Sequence, residues 1–73
     1  MHKPDKLAAI RIGDTIRFMS NGELTSGRVA GWHWRPGGGH CVLVRSGDQQ
    51  VTLEQIVSRE RESGLDSGTV SFL

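Results

Sequence analysis

The sequence is poor in residues that cross-link or rigidify small proteins. It contains one cysteine, Cys41, two prolines and no tyrosine. A single thiol cannot form an intramolecular disulfide, which excludes a disulfide-stabilised secreted scaffold, and Cys41 is expected to be a small core residue because it lies in an apolar run. A chain of 73 residues buries only about 60% of its unfolded surface, so we expect one domain of marginal stability.

Long apolar runs are also absent. No uninterrupted apolar segment approaches the roughly 20 residues that are needed to cross a bilayer, and the apolar stretch near the start is too short for a signal peptide. We therefore expect a soluble, cytoplasmic protein that has no membrane partner.

The net charge is small but unevenly distributed. The formal net charge is +1, which argues against the strong non-specific polyanion binding of highly basic proteins. Residues 1–45 carry seven basic and three acidic side chains, and residues 46–73 carry two and five, so the two parts have charges of +4 and −3. This asymmetry permits one positive face on the folded protein.

Glycine is abundant, and short apolar segments alternate with glycine-centred turns over residues 12–59. Asn21-Gly22 predicts a tight hairpin, because both residues tolerate positive φ. Pro36 and the three glycines after it predict a loop, and Ser46-Gly47-Asp48 predicts a second turn. This alternation is typical of an all-β fold.

The strands can be placed from the positions of their apolar residues. Ile10, Ile12, Ile16 and Phe18 have the same parity, which predicts a first strand with these four side chains on one face. Asp14 and the nearby arginines are then expected in mixed, more exposed positions. The other expected elements are a bent strand over 24–34, a strand covered on both faces over 40–45, a short strand over 50–53 and a 3₁₀ turn over 54–56.

The remaining segments are less regular. Residues 1–9 are expected to form an N-terminal tail, and residues 10–60 the folded domain. After Ser58 the charges alternate and a linker-like segment follows. Residues 61–73 are therefore expected to be either a C-terminal tail or an added strand.

Three segments carry a resemblance to a known group of folds. They are Gly13-Asp14, Gly27-Arg28-Val29 and the run from Val51 through Leu53-Glu54 to Ile56. These resemble the SH3-like small barrels, which include KOW and Tudor domains. The resemblance implies an all-β SH3-like barrel of about five strands with a short 3₁₀ turn before the last strand.

A weaker local likeness is to the type II dihydrofolate reductases, in which four SH3-like protomers surround one pore. It rests on residues 13–17, 27–32 and 49–53 and implies a homotetramer with Gln50, Val51 and Thr52 at the pore. The chain lacks tyrosine, and Phe18-Met19 stands where that family has lysines. These departures argue against the pore chemistry, so no catalytic residue is assigned.

The second strand carries the main candidate for function. On a straight strand, residues 28, 30, 32 and 34 project together, which places two indoles beside a guanidinium. An aromatic side chain that stacks on a base contributes about 1 to 3 kcal/mol, and arginines neutralise phosphates. The favoured prediction is a small non-catalytic nucleic-acid-binding module. Its candidate residues are Arg17, Arg28, Trp32, Trp34, Arg35, Gly38 and Arg45.

Other interpretations of the same residues stay open. One indole is expected to be buried and one exposed, and each arginine can equally belong to a solvated surface. The indoles can also form an aromatic cage for a methylated amine with Phe18 as a third wall. An apolar C-terminus allows a protein-interaction or assembly module of a phage or mobile element, with a homo-oligomer as one form.

Neither a metal site nor a catalytic dyad is predicted. His33, His40 and Cys41 lack the spacing of a closed metal site, and adjacent His40 and Cys41 point to opposite faces of a regular strand. The triple glycine is not followed by the Lys and helix of a phosphate-binding P-loop. We therefore assign no cofactor.

Overall fold

Six antiparallel strands form one sheet in the computed structural model, which describes residues 6–37, 39–45 and 49–73. The strand order across the sheet is β4-β3-β2-β1-β5-β6. The predicted all-β class is confirmed. The elements in chain order are helix α1 (Lys6–Ala9), β1 (Thr15–Ser20), β2 (Glu23–Arg35), β3 (Gly39–Val44), β4 (Gln49–Thr52), a 3₁₀ helix (Leu53–Gln55), β5 (Ile56–Arg61) and β6 (Gly68–Ser71).

The β1–β2 hairpin forms where the sequence predicts it. Ser20 pairs with Glu23, so the turn has only two residues between the strands. Asn21 and Gly22 adopt φ values of 52° and 80°. Both angles lie in the left-handed region that a two-residue hairpin turn requires, and asparagine and glycine enter that region at low cost.

Strand β2 is long because it belongs to two parts of the sheet. Its first part pairs with β1, and its second part pairs with β3. The register shifts between Val29 and Gly31, which is a bulge with one extra residue on β2. The predicted bent second strand is therefore present, and the bulge marks where the chain passes from one part of the sheet to the other.

The core lies on the inner face of this sheet. Ile16 and Phe18 of β1 point inward, but Ile12 is 66% exposed, so the prediction that Ile12 shares their face is wrong. The reason is that the chain turns at Gly13, with φ of 97°, before β1 begins at Thr15. The buried residues of the core are Ile10, Ile16, Phe18, Val29, Val42, Val44, Val51, Ile56 and Phe72.

Both ends of the described chain pack onto the sheet. Residues 6–9 form a helix rather than the predicted tail, and the Lys6 ammonium donates a hydrogen bond to the Leu53 carbonyl at 2.8 Å. Strand β6 pairs with β5, so of the two alternatives for the C-terminal segment an added strand forms. Phe72 after it is buried. Among the described residues no helix is long and apolar enough to cross a membrane.

The edges of the sheet are β4 and β6, and no ladder joins them within the described residues. Side chains instead connect β4 and the 3₁₀ helix to the end of β1. Gln55 Nε2 donates to the Met19 carbonyl at 2.8 Å, and Gln49 Nε2 donates to Ser20 Oγ at 3.4 Å. The sheet is therefore open, and closure into an SH3-like barrel stays a prediction.

Replacing Gly27 by alanine is expected to destabilise the protein by about 1 to 3 kcal/mol, because overpacking a tight core displaces side chains and backbone. A Cβ at Gly27 would collide with Cγ1 of buried Val44 and contact Phe18. A valine in a packed core cannot easily rotate away. Urea unfolding followed by tryptophan fluorescence measures the change.

Gly31→Ala is the matched control on the same strand. A Cβ at Gly31 has no heavy atom within 4 Å among the described residues. It should leave stability unchanged or raise it by up to about 1 kcal/mol through the unfolded state. Equal losses of stability for the two variants would show that the close approach of Val44 to Gly27 is not the cause of the loss.

Candidate functional site

Trp34 is the exposed indole of the protein. It is 61% exposed and lies near the end of β2, directly opposite His40 on β3. The two rings meet edge to face, with centroids 4.6 Å apart and an interplanar angle of 72°. His40 therefore supports the indole from one side, while much of the indole stays open to solvent.

Trp32 lies on the same face of β2 but packs against the core. It pairs with fully buried Val42 and is itself half-buried. Trp34 is thus the exposed indole that was expected, whereas Trp32 is half-buried rather than buried. Phe18 is only 1% exposed, so it is not available as the third wall of the alternative aromatic cage.

Arg28 does not share a face with the indoles. Val29 pairs with Val44, whereas Trp32 pairs with Val42, and the bulge between them inverts the alternation of β2. Arg28 consequently points outward while Trp32 points toward the core. The expectation that residues 28, 30, 32 and 34 project together fails because the strand is not straight.

Arg28 is instead brought together with Arg45. The Arg45 amide donates a hydrogen bond to the Arg28 carbonyl at 3.0 Å. Both arginines line a surface recess of about 280 Å³ with Ile12, Gly13, Val29 and Ala30. We call this the basic recess, since its lining residues include two arginines and no acidic side chain among those described.

The other predicted binding residues are more dispersed. Arg17 is on the outer face of β1, and its guanidinium lies 3.5 Å from the Glu60 carboxylate. Arg35 is the last residue of β2, where its backbone pairs with Gly39. Gly38 lies outside the described residues.

The candidate pore residues of the reductase likeness lie on edge strand β4. Gln50 is exposed, but Val51 is completely buried in the core. The Thr52 amide donates to Gln55 Oε1 at 3.0 Å, at the start of the 3₁₀ helix. Val51 is therefore unavailable to line a pore, because its side chain packs inside its own protomer.

The histidine and cysteine residues do not converge. His40 is exposed, whereas neighbouring Cys41 is buried. Among the described residues, no group of three or more histidine, cysteine, aspartate or glutamate side chains is placed to hold a metal ion.

A buried ion pair joins the start of β1 to the end of β5. Asp14 is 4% exposed, and Arg61 Nε and Nη2 donate to its two carboxylate oxygens at 2.8 Å each. The Arg11 amide donates to the same carboxylate at 2.8 Å. Such two-pronged contacts are the strongest type of side-chain ion pair.

The surroundings of Asp14 hold it ionised. Burial by itself raises the pKa of the carboxyl. The hydrogen bonds from Arg61 and the Arg11 amide, together with the positive charges of Arg61 and Arg59, lower this pKa by more than burial raises it. The net pKa is below the ordinary value of 3.8. The hydrogen bond to Asp14 likewise raises the pKa of Arg61, so both partners stay charged.

Sequence reasoning missed this cluster. It placed Asp14 in a mixed, exposed position and interpreted the alternating charges at 59–62 as the end of the regular pattern. The alternation itself is the signal, because a period of two is that of a strand. On β5 it places Arg59 and Arg61 inward and Glu60 on the outer face, opposite Thr15.

Comparison with models of protein families, with curated proteins and with solved structures found no match.

Asp14→Asn is expected to destabilise the protein by roughly 3 kcal/mol at neutral pH, because it leaves the Arg61 charge without its buried partner. The pH dependence should change as well. A carboxyl whose pKa is lowered by folding contributes stability that is present above its unfolded pKa and is lost as the pH falls through its folded pKa. The wild type should therefore lose stability below about pH 4, and Asp14→Asn should lose less over that range.

Glu60→Gln is the control for this prediction. It removes the carboxylate of the exposed Arg17–Glu60 pair, whose side chains are 53% and 42% exposed. Exposed pairs contribute about 0 to 1 kcal/mol, so urea midpoints measured from acid to neutral pH should follow the wild type. An Asp14→Asn curve that also followed the wild type would contradict a stabilising role for the pair.

Proposed function

We propose that this protein is a small non-catalytic module that binds single-stranded nucleic acid, built on an SH3-like barrel. The observation that carries the proposal is Trp34, an indole that is 61% exposed and held against His40. The basic recess of Arg28 and Arg45 supplies positive charge farther along the same strand.

Trp34 is suited to stacking on a base. A large aromatic side chain in water lacks the free energy of burial, so a base that covers the indole removes apolar surface from water and is favoured. The edge contact with His40 limits the orientations of the indole, so less conformational entropy is lost when a base stacks on it. We call Trp34 and the His40 ring that it contacts the Trp34 platform. Trp32, packed on the core beside Trp34, gives this platform a rigid base.

The arginines are suited to phosphates rather than to bases. Arg28 and Arg45 converge on one recess without an acidic neighbour in its lining. Arg17 is expected to contribute less to phosphate binding, because its charge is neutralised by Glu60. Trp34 is six positions after Arg28 on β2, a distance of at most about 20 Å at roughly 3.3 Å per residue.

A stacked strand rises about 3.4 Å per nucleotide along its axis, so at most about six nucleotides span about 20 Å. This is near the lower end of the site sizes of about 4 to 16 nucleotides that OB folds cover. A single strand is favoured over a duplex, because a base stacks on a side chain only when it is unpaired.

Protein docking is the main alternative outcome, and it uses a different surface. Strand β6 is a sheet edge, and Leu73 beyond it is exposed. Phe72 is not available for docking, since it is buried in the core of its own chain. A partner bound by strand addition would therefore perturb the amides of β6 rather than the Trp34 indole.

Trp34→Ala is expected to weaken oligonucleotide binding by about 5- to 150-fold, which corresponds to 1 to 3 kcal/mol of lost stacking. ¹H–¹⁵N NMR titration with single-stranded and duplex oligonucleotides measures it, with the two indole N–H signals as reporters. In the wild type the Trp34 signal should shift more than that of Trp32.

Leu24→Ala is the matched control. Leu24 lies on β2 and is 57% exposed, so its removal also truncates an exposed apolar side chain without touching the platform. The affinity of Leu24→Ala for the oligonucleotide should equal that of the wild type. If neither oligonucleotide shifts the Trp34 signal at low salt, the proposal is wrong, and amide shifts confined to β6 on addition of a protein would favour docking.

Arg28→Ala and Arg45→Ala should each reduce the dependence of log K on log salt concentration by about one unit, since each arginine neutralises one phosphate. Arg17→Ala serves as the charge-matched comparison and should reduce the slope less. Fluorescence anisotropy across a salt series gives these slopes. Equal slopes for all four proteins would separate the basic recess from nucleic-acid binding.

A further inference from the structure

Arg59 is a buried cation with little compensation. It is 2% exposed, and the only hydrogen bond of its side chain among the described residues runs from Nη1 to the Asp66 carbonyl at 2.9 Å. Its Nε is buried and has no partner within that part of the chain. No described carboxylate lies within ion-pair distance of it. The Asp14 carboxylate, which is paired with Arg61, attracts the Arg59 charge only from beyond that distance.

An unpaired guanidinium in this position is unfavourable. Removing a charge from water costs several kcal/mol unless a counter-charge and hydrogen bonds replace the lost hydration. Arginine does not avoid the cost by losing its proton, because a guanidinium is not deprotonated in proteins. The Asp66 carbonyl at Nη1 satisfies one of the five N–H groups of the guanidinium and does not neutralise its charge.

Arg59 is one of the residues that line a cavity at this end of the sheet. The volume of the cavity is about 340 Å³, against a share of about 30 Å³ for one water molecule in the liquid, so a small anion fits with some of its hydration. The residues that line it are Ala8, Ala9, Arg11, Arg59, Arg61, Asp66 and Val70.

The charge around the cavity is positive. Arg61 is neutralised by its two contacts with Asp14. Arg59 and Arg11 then face one lining carboxylate, that of Asp66. The Asp66 backbone already accepts the hydrogen bond from Arg59 Nη1, which leaves the Nε edge of the guanidinium for another acceptor.

We propose that this cavity is a site for a phosphate-type oxyanion, which accepts hydrogen bonds along the Nε edge of Arg59 and is neutralised in part by Arg11. The Nε edge of a guanidinium presents two parallel N–H groups, a geometry that matches two oxygens of one oxyanion. A doubly charged phosphate compensates both arginines, whereas a carboxylate compensates one. The cavity is distinct from the Trp34 platform and the basic recess, so this inference does not depend on the proposed function.

The first measurement is an NMR titration of the arginine Nε–H signals with inorganic phosphate at constant ionic strength, balanced with chloride. Absence of a signal in Arg59→Met assigns Arg59. We expect a saturable shift of the Arg59 signal, a smaller effect of acetate, and no shift of Arg17. The melting temperature should rise with phosphate in the wild type and in Arg17→Met, but not in Arg59→Met.

Arg59→Met is expected to fold, because an apolar side chain of similar length replaces an uncompensated buried charge. If it does not fold, the wild-type titration decides by itself, with Arg59→Lys supplying the assignment. A phosphate-insensitive Arg59 signal overturns the proposal. So does an Arg59 signal that responds to Asp66→Asn and not to phosphate, since Asp66 would then be the counter-ion.

The source of the phosphate is distinguished by two further ligands. A 5′-phosphorylated oligonucleotide that shifts Arg59 more than its unphosphorylated counterpart indicates a nucleic-acid end, and inorganic phosphate that acts alone indicates a free anion. Binding of either kind supports the oxyanion site. Shifts of Trp34 in the same spectra report on the nucleic-acid proposal separately, so failure of one is distinguishable from failure of the other.

Discussion

The ion pair between Asp14 and Arg61 connects most parts of this fold. It joins the residue before β1 to the last residue of neighbouring β5, and Arg61 also donates hydrogen bonds to the carbonyls of Ala9 and Leu65, at 3.2 Å each. One guanidinium therefore holds helix α1, the start of β1 and the loop before β6. In a domain whose core contains nine buried apolar side chains among the described residues, such a connection limits fraying where apolar contacts end.

The same end of the sheet concentrates charge on its inner face. Asp14 and Arg61 satisfy each other, but Arg59 lies two residues away on the inward side of β5 without a carboxylate partner in the described part of the chain. A buried charge seldom adds stability, since an apolar residue of similar volume usually does as well. The presence of one here is a physical reason to consider ligand binding at this end of the sheet.

The bulge in β2 divides the rest of the surface. Before it, inward side chains pack on the core and Arg28 faces outward; after it, the parity inverts and both indoles come to the core side. Because β2 continues past the core, Trp32 is partly covered while Trp34 is not. One extra residue thus separates a basic region from an aromatic region on a single strand, and a ligand that uses both must follow the strand.

Local features of the sequence determined the all-β class, the Asn21-Gly22 hairpin, the bent second strand and the 3₁₀ turn before β5. Each depends on residues close together in the chain, whose φ preferences and alternation act without distant partners. The tertiary structure alone decided that Asp14 meets Arg61, 47 residues away, that Ile12 is exposed, and that Arg28 faces away from Trp32. Those outcomes follow from strand register, a turn and a bulge, and one residue of register exchanges the two faces of a strand.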